Sequence, residues 1–100
     1  LIRGGENIYC AEVESVLHDY PAVDEVALVG RPHPTLGEEP VAFVRFRSGK
    51  QAEEAELRAF AAQHLAAFKV PVSIIIQSEP LPRNENGKIL KTVLKKLLAA

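Results

Sequence analysis

Pro21 separates two stretches whose hydrophobic periods cannot belong to one element. Before it, Val13, Val16, Leu17 and Tyr20 fall at i, i+3, i+4 and i+7, and Glu12, Glu14 and Asp19 lie off that stripe, the pattern of an amphipathic helix from Cys10 to Tyr20. The proline ends that helix, because the residue before it is pushed out of the α region. After it, Val23 to Val29 is rich in β-branched residues and closed by Gly30, which reads as a strand. A chain that changes period so abruptly has to pack a helix against a sheet.

The same alternation runs to the C-terminus. Val41 to Phe46 reads as a second strand, apolar on both faces in its first half and therefore central to a sheet covered on both sides. The intervening Arg31 to Pro40 holds Pro32, Pro34, Gly37 and Pro40, and reads as a loop or wide hairpin connection, since proline cannot donate into a ladder. Leu57, Phe60, Ala61, Leu65 and Phe68 form a helical stripe within Ala52 to Phe68. Its acidic start (Glu53, Glu54, Glu56) suits the positive end of a helix dipole. Ile74 to Ile76 reads as a third strand. Leu90, Val93, Leu94, Leu97 and Leu98 make a last helix, with Lys91, Lys95 and Lys96 off its stripe, Thr92 as its N-cap, and Lys88 to Leu90 still extended ahead of it. The expected architecture is one α+β domain over residues 1–100: a small central sheet of about three strands plus a short N-terminal hairpin, with helices packed on it.

Composition narrows the function. Twelve Lys and Arg against thirteen Asp and Glu leave a net charge of −1, which argues against an overall electrostatic grip on nucleic acid or an anionic membrane. Cys10 is the lone cysteine and reads as a packing residue at a helix start; His18, His33 and His64 are scattered, so neither a disulfide nor a metal site is expected. No run reaches membrane-spanning length and no signal peptide opens the chain, which points to the cytoplasm. A start at Leu1 and the absence of methionine suggest a piece of a longer protein.

Two segments spend residues in ways a core does not require. In Arg3-Gly4-Gly5-Glu6-Asn7-Ile8-Tyr9 the paired glycines allow a sharp turn and a close ligand approach, although taken alone a tight turn leading into a helix is the better explanation. In Pro82-Arg83-Asn84-Glu85-Asn86-Gly87-Lys88-Ile89-Leu90-Lys91 a polar loop presents Lys88 at its exit. The phosphate-loop pattern fails there, with Pro82 in place of its first glycine and Ile89 in place of its Ser/Thr. A lysine so placed could equally be a solvated charge.

Together the two segments are more specific than either alone. Gly4 to Glu14 resembles the A8 motif that opens the C-terminal domain of adenylate-forming enzymes, and Pro82 to Leu90 resembles that domain's closing A10 motif. The superfamily comprises acyl- and aryl-CoA synthetases, firefly luciferase and the adenylation domains of peptide synthetases; the Gly-Gly-Glu-Asn wording is similar to the acyl-CoA synthetase branch. The resemblance implies a C-terminal lid that rotates between two half-reactions. In the first, a carboxylate (a fatty or other simple acid) attacks the α-phosphate of ATP, with Mg in the full enzyme, and pyrophosphate leaves. In the second, the CoA thiol displaces AMP.

The resemblance assigns Lys88, with Gly87 freeing its loop, to adenylation, where a compact cation offsets two mutually repelling anions. It assigns Gly4, Gly5 and Glu6 to the tunnel for the pantetheine arm, and Phe68 and Lys69 to the CoA nucleotide, although Val70 and Val72 carry no charge there and Cys10 replaces a common proline. The large N-terminal domain and the hinge would precede Leu1, so the isolated domain should catalyse nothing and hold no cofactor stably. Pro82 to Lys88 also fits the Pro-x-x-x-x-Gly-Lys pattern at which such enzymes are silenced by lysine acetylation, implying a lysine acetyltransferase as a partner. Two other readings stay open: the lid of a peptide-synthetase adenylation domain serving a carrier-protein thiol, and a non-catalytic interaction module docking through Lys91, Lys95 and Lys96.

Overall fold

A long antiparallel hairpin forms the centre of the computed structural model, which describes residues 1–99. Its strands, β3 (Val23–His33) and β4 (Gly37–Phe46), follow a short hairpin of β1 (Ile2–Arg3) and β2 (Glu6–Asn7) and the helix α1 (Cys10–His18). Helix α2 (Glu54–His64), a 3₁₀ turn (Ala67–Lys69), β5 (Ser73–Ile76) and α3 (Lys91–Ala99) complete the chain. The sheet order is β2-β1-β4-β3. β5 runs parallel to β4 at Val41–Val44, on the edge that β1 occupies at Gly37. The expected α+β domain, with three strands plus an N-terminal hairpin, is what forms.

Alternation along β3 and β4 divides the core in two. Val26, Leu28, Ala42 and Val44 face α1 and α2, meeting Val13, Leu17, Leu57 and Ala61. Ala27, Val29, Val41 and Phe43 face the other way, against Leu94 of α3 and Leu81. β4 is thus central and covered on both sides, as its apolar pattern predicts. Burying one such side chain contributes ~1.5–3 kcal/mol, and that is what sustains a helix as short as α3, since helices below about 12 residues are marginal in water.

Three sequence expectations are corrected. Arg31–Pro40 is not a loop: β3 and β4 stay paired out to His33↔Gly37, and only Pro34 to Leu36 turn. The prolines fit because of their register. Val72 N–H donates to the Pro40 carbonyl (2.9 Å), so the Pro40 main chain faces β5 rather than β3. Glu38 shares that orientation, and its partner Pro32 therefore turns its nitrogen to the open edge of β3, where no ladder bond is lost. The His33 ring closes the turn, its Nδ1 accepting the N–H groups of Thr35 (3.2 Å) and Leu36 (3.0 Å).

Helix α2 ends at His64, not Phe68. Leu65 turns to φ −128° and ψ 150° and drops into the first core, while Phe68 falls in the 3₁₀ turn. Arg58 Nε holds the Pro71 carbonyl (3.0 Å), bringing the returning chain back alongside α2. Thr92 is not the cap of α3: the Leu90 carbonyl already accepts the N–H groups of Val93 (3.1 Å) and Leu94 (3.4 Å), so the helix begins at Lys91.

Candidate functional site

Lys88 stands at the exit of a closed hairpin. Arg83 and Ile89 bridge antiparallel, Asn84 N–H donates to the Lys88 carbonyl (2.9 Å), and Gly87 N–H donates back to the Asn84 carbonyl (3.0 Å). The Asn84 carboxamide oxygen accepts two further N–H groups, from Asn86 (2.9 Å) and Lys88 (3.0 Å). Gly87 has φ +82°, the left-handed conformation that closing this turn requires. Gly87 closes a tight turn from which Lys88 projects exposed.

The hairpin is fastened to the β3 edge. Arg83 donates from Nη1 to the Gly87 carbonyl (2.7 Å) and from Nη2 to Glu25 Oε2 (2.9 Å). Glu25, its side chain only 11% exposed, also accepts from Arg45 Nη1 (3.3 Å) and from Leu81 N–H (3.4 Å). Burial pushes the Glu25 carboxyl up, but the two guanidiniums and the Leu81 N–H pull it further down, so it ends below the ordinary carboxylate range. Beside it, Glu14 of α1 accepts the outward Leu28 N–H (2.8 Å) and pairs with Lys91 Nζ (2.8 Å), which covers an otherwise open strand edge. Of the three lysines offered for an acidic partner, Lys91 is thereby engaged. A shallow cleft opens between this hairpin, Glu14 and the start of α3.

Gly4 and Gly5 form the two-residue turn between β1 and β2, at φ +56° and +83°, a pair of left-handed conformations that glycine adopts without strain. Gly4 N–H donates to the Leu36 carbonyl (2.7 Å), bolting this hairpin to the β3–β4 turn. Arg3 Nη1 reaches the Phe68 carbonyl (2.9 Å), so Gly4, Glu6 and Phe68 border one shallow cleft. Lys69 lies next to it but is committed: its Nζ pairs with Glu12 (2.9 Å) and sits 5.7 Å from the Phe68 ring centroid. Cys10 is half-buried against the first core, as a packing residue should be. Among the described residues no three His, Cys, Asp or Glu side chains converge to hold a metal ion.

These two hairpins, each built on a motif, lie at opposite edges of one sheet. The family described as AMP-binding enzyme C-terminal domain matches residues 12–88. The chain belongs to that family. Among similar proteins, a 2-succinylbenzoate–CoA ligase of Geobacillus kaustophilus is 47% identical over 98 residues, 98% of this chain and 20% of the relative. The long-chain-fatty-acid–CoA ligase FadD13 of Mycobacterium tuberculosis is 41% identical over 100 residues, 100% of this chain and 20% of its own length. In three dimensions the chain superposes on apo MatB from Rhodopseudomonas palustris with a TM-score of 0.91 at 38% identity, covering 97% of this chain and 19% of that one. This AMP-binding C-terminal domain thus spans about a fifth of the length of the curated relatives it matches. No described helix is long and apolar enough to cross a membrane.

Within this domain the structure brings Gly4, Glu6 and Phe68 together, leaves Gly5 at the open tip of its turn, and sets Gly87 and Lys88 apart from all of them. Sequence reasoning missed Glu25. It sits in a strand-like run, and nothing local marks it as the partner of an arginine 58 residues away. Arg83 lies inside the A10 segment and was visible there, but without a role.

Proposed function

We propose that this chain is the mobile lid of an ATP-dependent, AMP-forming acyl-CoA ligase. The carrying observation is the separation of the two motif hairpins: one edge of the sheet offers an exposed ammonium, the other a glycine turn open to close backbone approach. A single rigid body of this shape can serve two chemically different steps only by presenting one edge at a time.

In the adenylating pose Lys88 meets an acid carboxylate and the ATP α-phosphate. The carboxylate oxygen bonds to phosphorus, pyrophosphate departs, and the ammonium offsets charge on the phosphate oxygens. In the other pose the Gly4–Gly5 turn, with Glu6 beside it, lines a narrow path for the pantetheine arm. There the CoA sulfur attacks the acyl carbonyl, AMP leaves, and backbone groups are free to bond the arm's amides. Phe68 is the apolar wall of that path. Lys69 reaches a CoA phosphate only by leaving Glu12, which makes it the weaker contact.

The relatives' names cover both 2-succinylbenzoate and long-chain fatty acids, and a fatty or other simple carboxylic acid is the substrate proposed here. Among the described residues no carboxylates converge to hold a metal ion, and the Mg²⁺ accompanying ATP is assigned in this proposal to the N-terminal domain of the full enzyme. The setting proposed is cytoplasmic. Acetylation of Lys88 by a lysine acetyltransferase would delete the charge that adenylation uses.

The deciding experiment separates the half-reactions in the full-length protein. Lys88→Ala, or Lys88 carrying an acetyl group, lowers ATP–pyrophosphate exchange by about 10²–10³-fold, the scale of removing one preorganised stabilising donor. Attack of CoA on a supplied acyl-adenylate largely survives. Gly5→Phe shows the reverse pattern. Equal damage to both steps by Lys88→Ala would overturn the assignment.

A further inference from the structure

Lysine is a poor tool for a single position: four rotatable carbons separate its charge from the backbone, so the ammonium is placed only as well as the backbone beneath it. Here that backbone is a tight turn whose own hydrogen bonds fix its shape but not its orientation on the domain. Orientation needs a fastening to the sheet: Ile89 packs one arm of the hairpin on the second core, and Arg83 on the other arm supplies the directional, hydrogen-bonded fastening. The Arg83 guanidinium divides its donors between the Gly87 carbonyl (2.7 Å), directly before Lys88, and Glu25 Oε2 on β3 (2.9 Å).

Glu25 is built as an anchor. It lies on the face of β3 that carries Ala27 and Val29, the face covered by Leu81 and α3. The register of β3 against β4 shifts between Val23 and Glu25, the kind of irregularity that re-aims a side chain. Its second guanidinium, Arg45, comes from the residue directly across on β4. Its third contact, Leu81 N–H, holds the segment that leads into the hairpin. One carboxylate therefore grips both the approach to the turn and the turn itself.

We infer that Glu25, acting through Arg83, is the positioning residue that orients the Lys88 hairpin on the sheet edge. The inference rests on the adenylation role proposed for Lys88 and adds the device that makes it effective. The link uses a planar fork with two separated donor nitrogens; a lysine at position 83 presents all its donors from one nitrogen on a flexible stem and does not reproduce that geometry. The Gly4–Gly5 hairpin sits on the opposite edge and takes nothing from Glu25 or Arg83, so the second half-reaction should not feel the loss.

The test measures both half-reactions of the full-length protein for Arg83→Ala, Arg83→Lys, Glu25→Gln, Lys88→Ala and the double variant Arg83→Ala/Lys88→Ala. Arg83→Ala should slow adenylation by roughly 10–100-fold, the scale of an ångström of misplacement, and leave CoA attack on supplied acyl-adenylate within about twofold. Arg83→Lys should not restore the rate, and the near-isosteric Glu25→Gln, which preserves packing, should slow adenylation in the same selective way. In the Lys88→Ala background Arg83→Ala should cost nothing more, because a residue that acts through Lys88 is silent once Lys88 is gone. A multiplying loss in the double variant, or equal slowing of both half-reactions by Arg83→Ala or Glu25→Gln, overturns the inference while leaving Lys88 in its role. Full adenylation by Lys88→Ala overturns both.

Discussion

The Glu25 carboxyl feels burial pushing its pKa up while the Arg83 and Arg45 guanidiniums and the Leu81 N–H pull it down, and the net position is below the unperturbed 4.5. A carboxyl with a depressed folded-state pKa adds stability that is present above its unfolded pKa and lost as pH falls through the folded one. Glu25→Gln keeps the shape and removes the titration. Wild type should therefore resist urea better than Glu25→Gln near pH 7, and the difference should narrow as the pH drops below about 4.5, where the unfolded chain begins to bind the extra proton. A difference that stays constant down to about pH 3 would show that the ion pairs contribute nothing that titrates. At this scale the sequence is uneven in what it reveals. Lys88, Gly4 and Gly5 stand in motifs whose spacing is readable. Glu25 has its meaning only after the chain has folded Arg83 against it.

Helix α3 shows how an element inherits stability from its neighbours. It has nine residues, too few to persist alone, and Leu94 is its fully buried contact with Ala27, Val29, Val41 and Phe43. Leu94→Ala should cost about 2–5 kcal/mol, the range for truncating a buried leucine where the surroundings relax only partly, as read by denaturant unfolding. Because Leu90 joins α3 directly to the Lys88 hairpin through its N–H on the Pro82 carbonyl (2.8 Å), the same variant should loosen that hairpin, seen as faster amide exchange at Lys88 than in wild type. Helices and central strands were legible from period alone, since an apolar stripe at 3.6 or a two-faced apolar run leaves few ways to be buried. The prolines of Arg31–Pro40 misled for a physical reason. Proline forbids a ladder bond only when its nitrogen faces the neighbouring strand, and that orientation is a matter of register, which composition does not carry. The early end of α2 was hidden likewise, because Phe68 continues the stripe in sequence while Leu65 has already turned inward.

Taken whole, the molecule is a covered sheet with one motif-bearing hairpin toward each edge, and its Cα radius of gyration of 13.0 Å matches the ~13 Å of a compact 100-residue domain. Both faces of β4 are buried in two core clusters among the described residues, so the domain carries a core of its own, while Ile2, Tyr9 and Leu97 stay exposed. The chemistry is another matter. Each hairpin borders a shallow cleft, and neither cleft encloses Lys88 or the Gly4–Gly5 turn. Rate enhancement from a cation requires a dry site in which the reactants are already held, and an exposed ammonium on a free domain has neither. The 100-residue chain expressed alone should therefore melt in one cooperative transition, with coincident far-UV circular dichroism and tyrosine fluorescence, yet give no ATP–pyrophosphate exchange above background and no thioester from a supplied acyl-adenylate. Exchange activity from the isolated chain would place the ATP site within these residues and overturn the proposed division of labour between lid and partner domain. A broad, non-coincident melt would instead show that the sheet needs the partner domain to complete its folding.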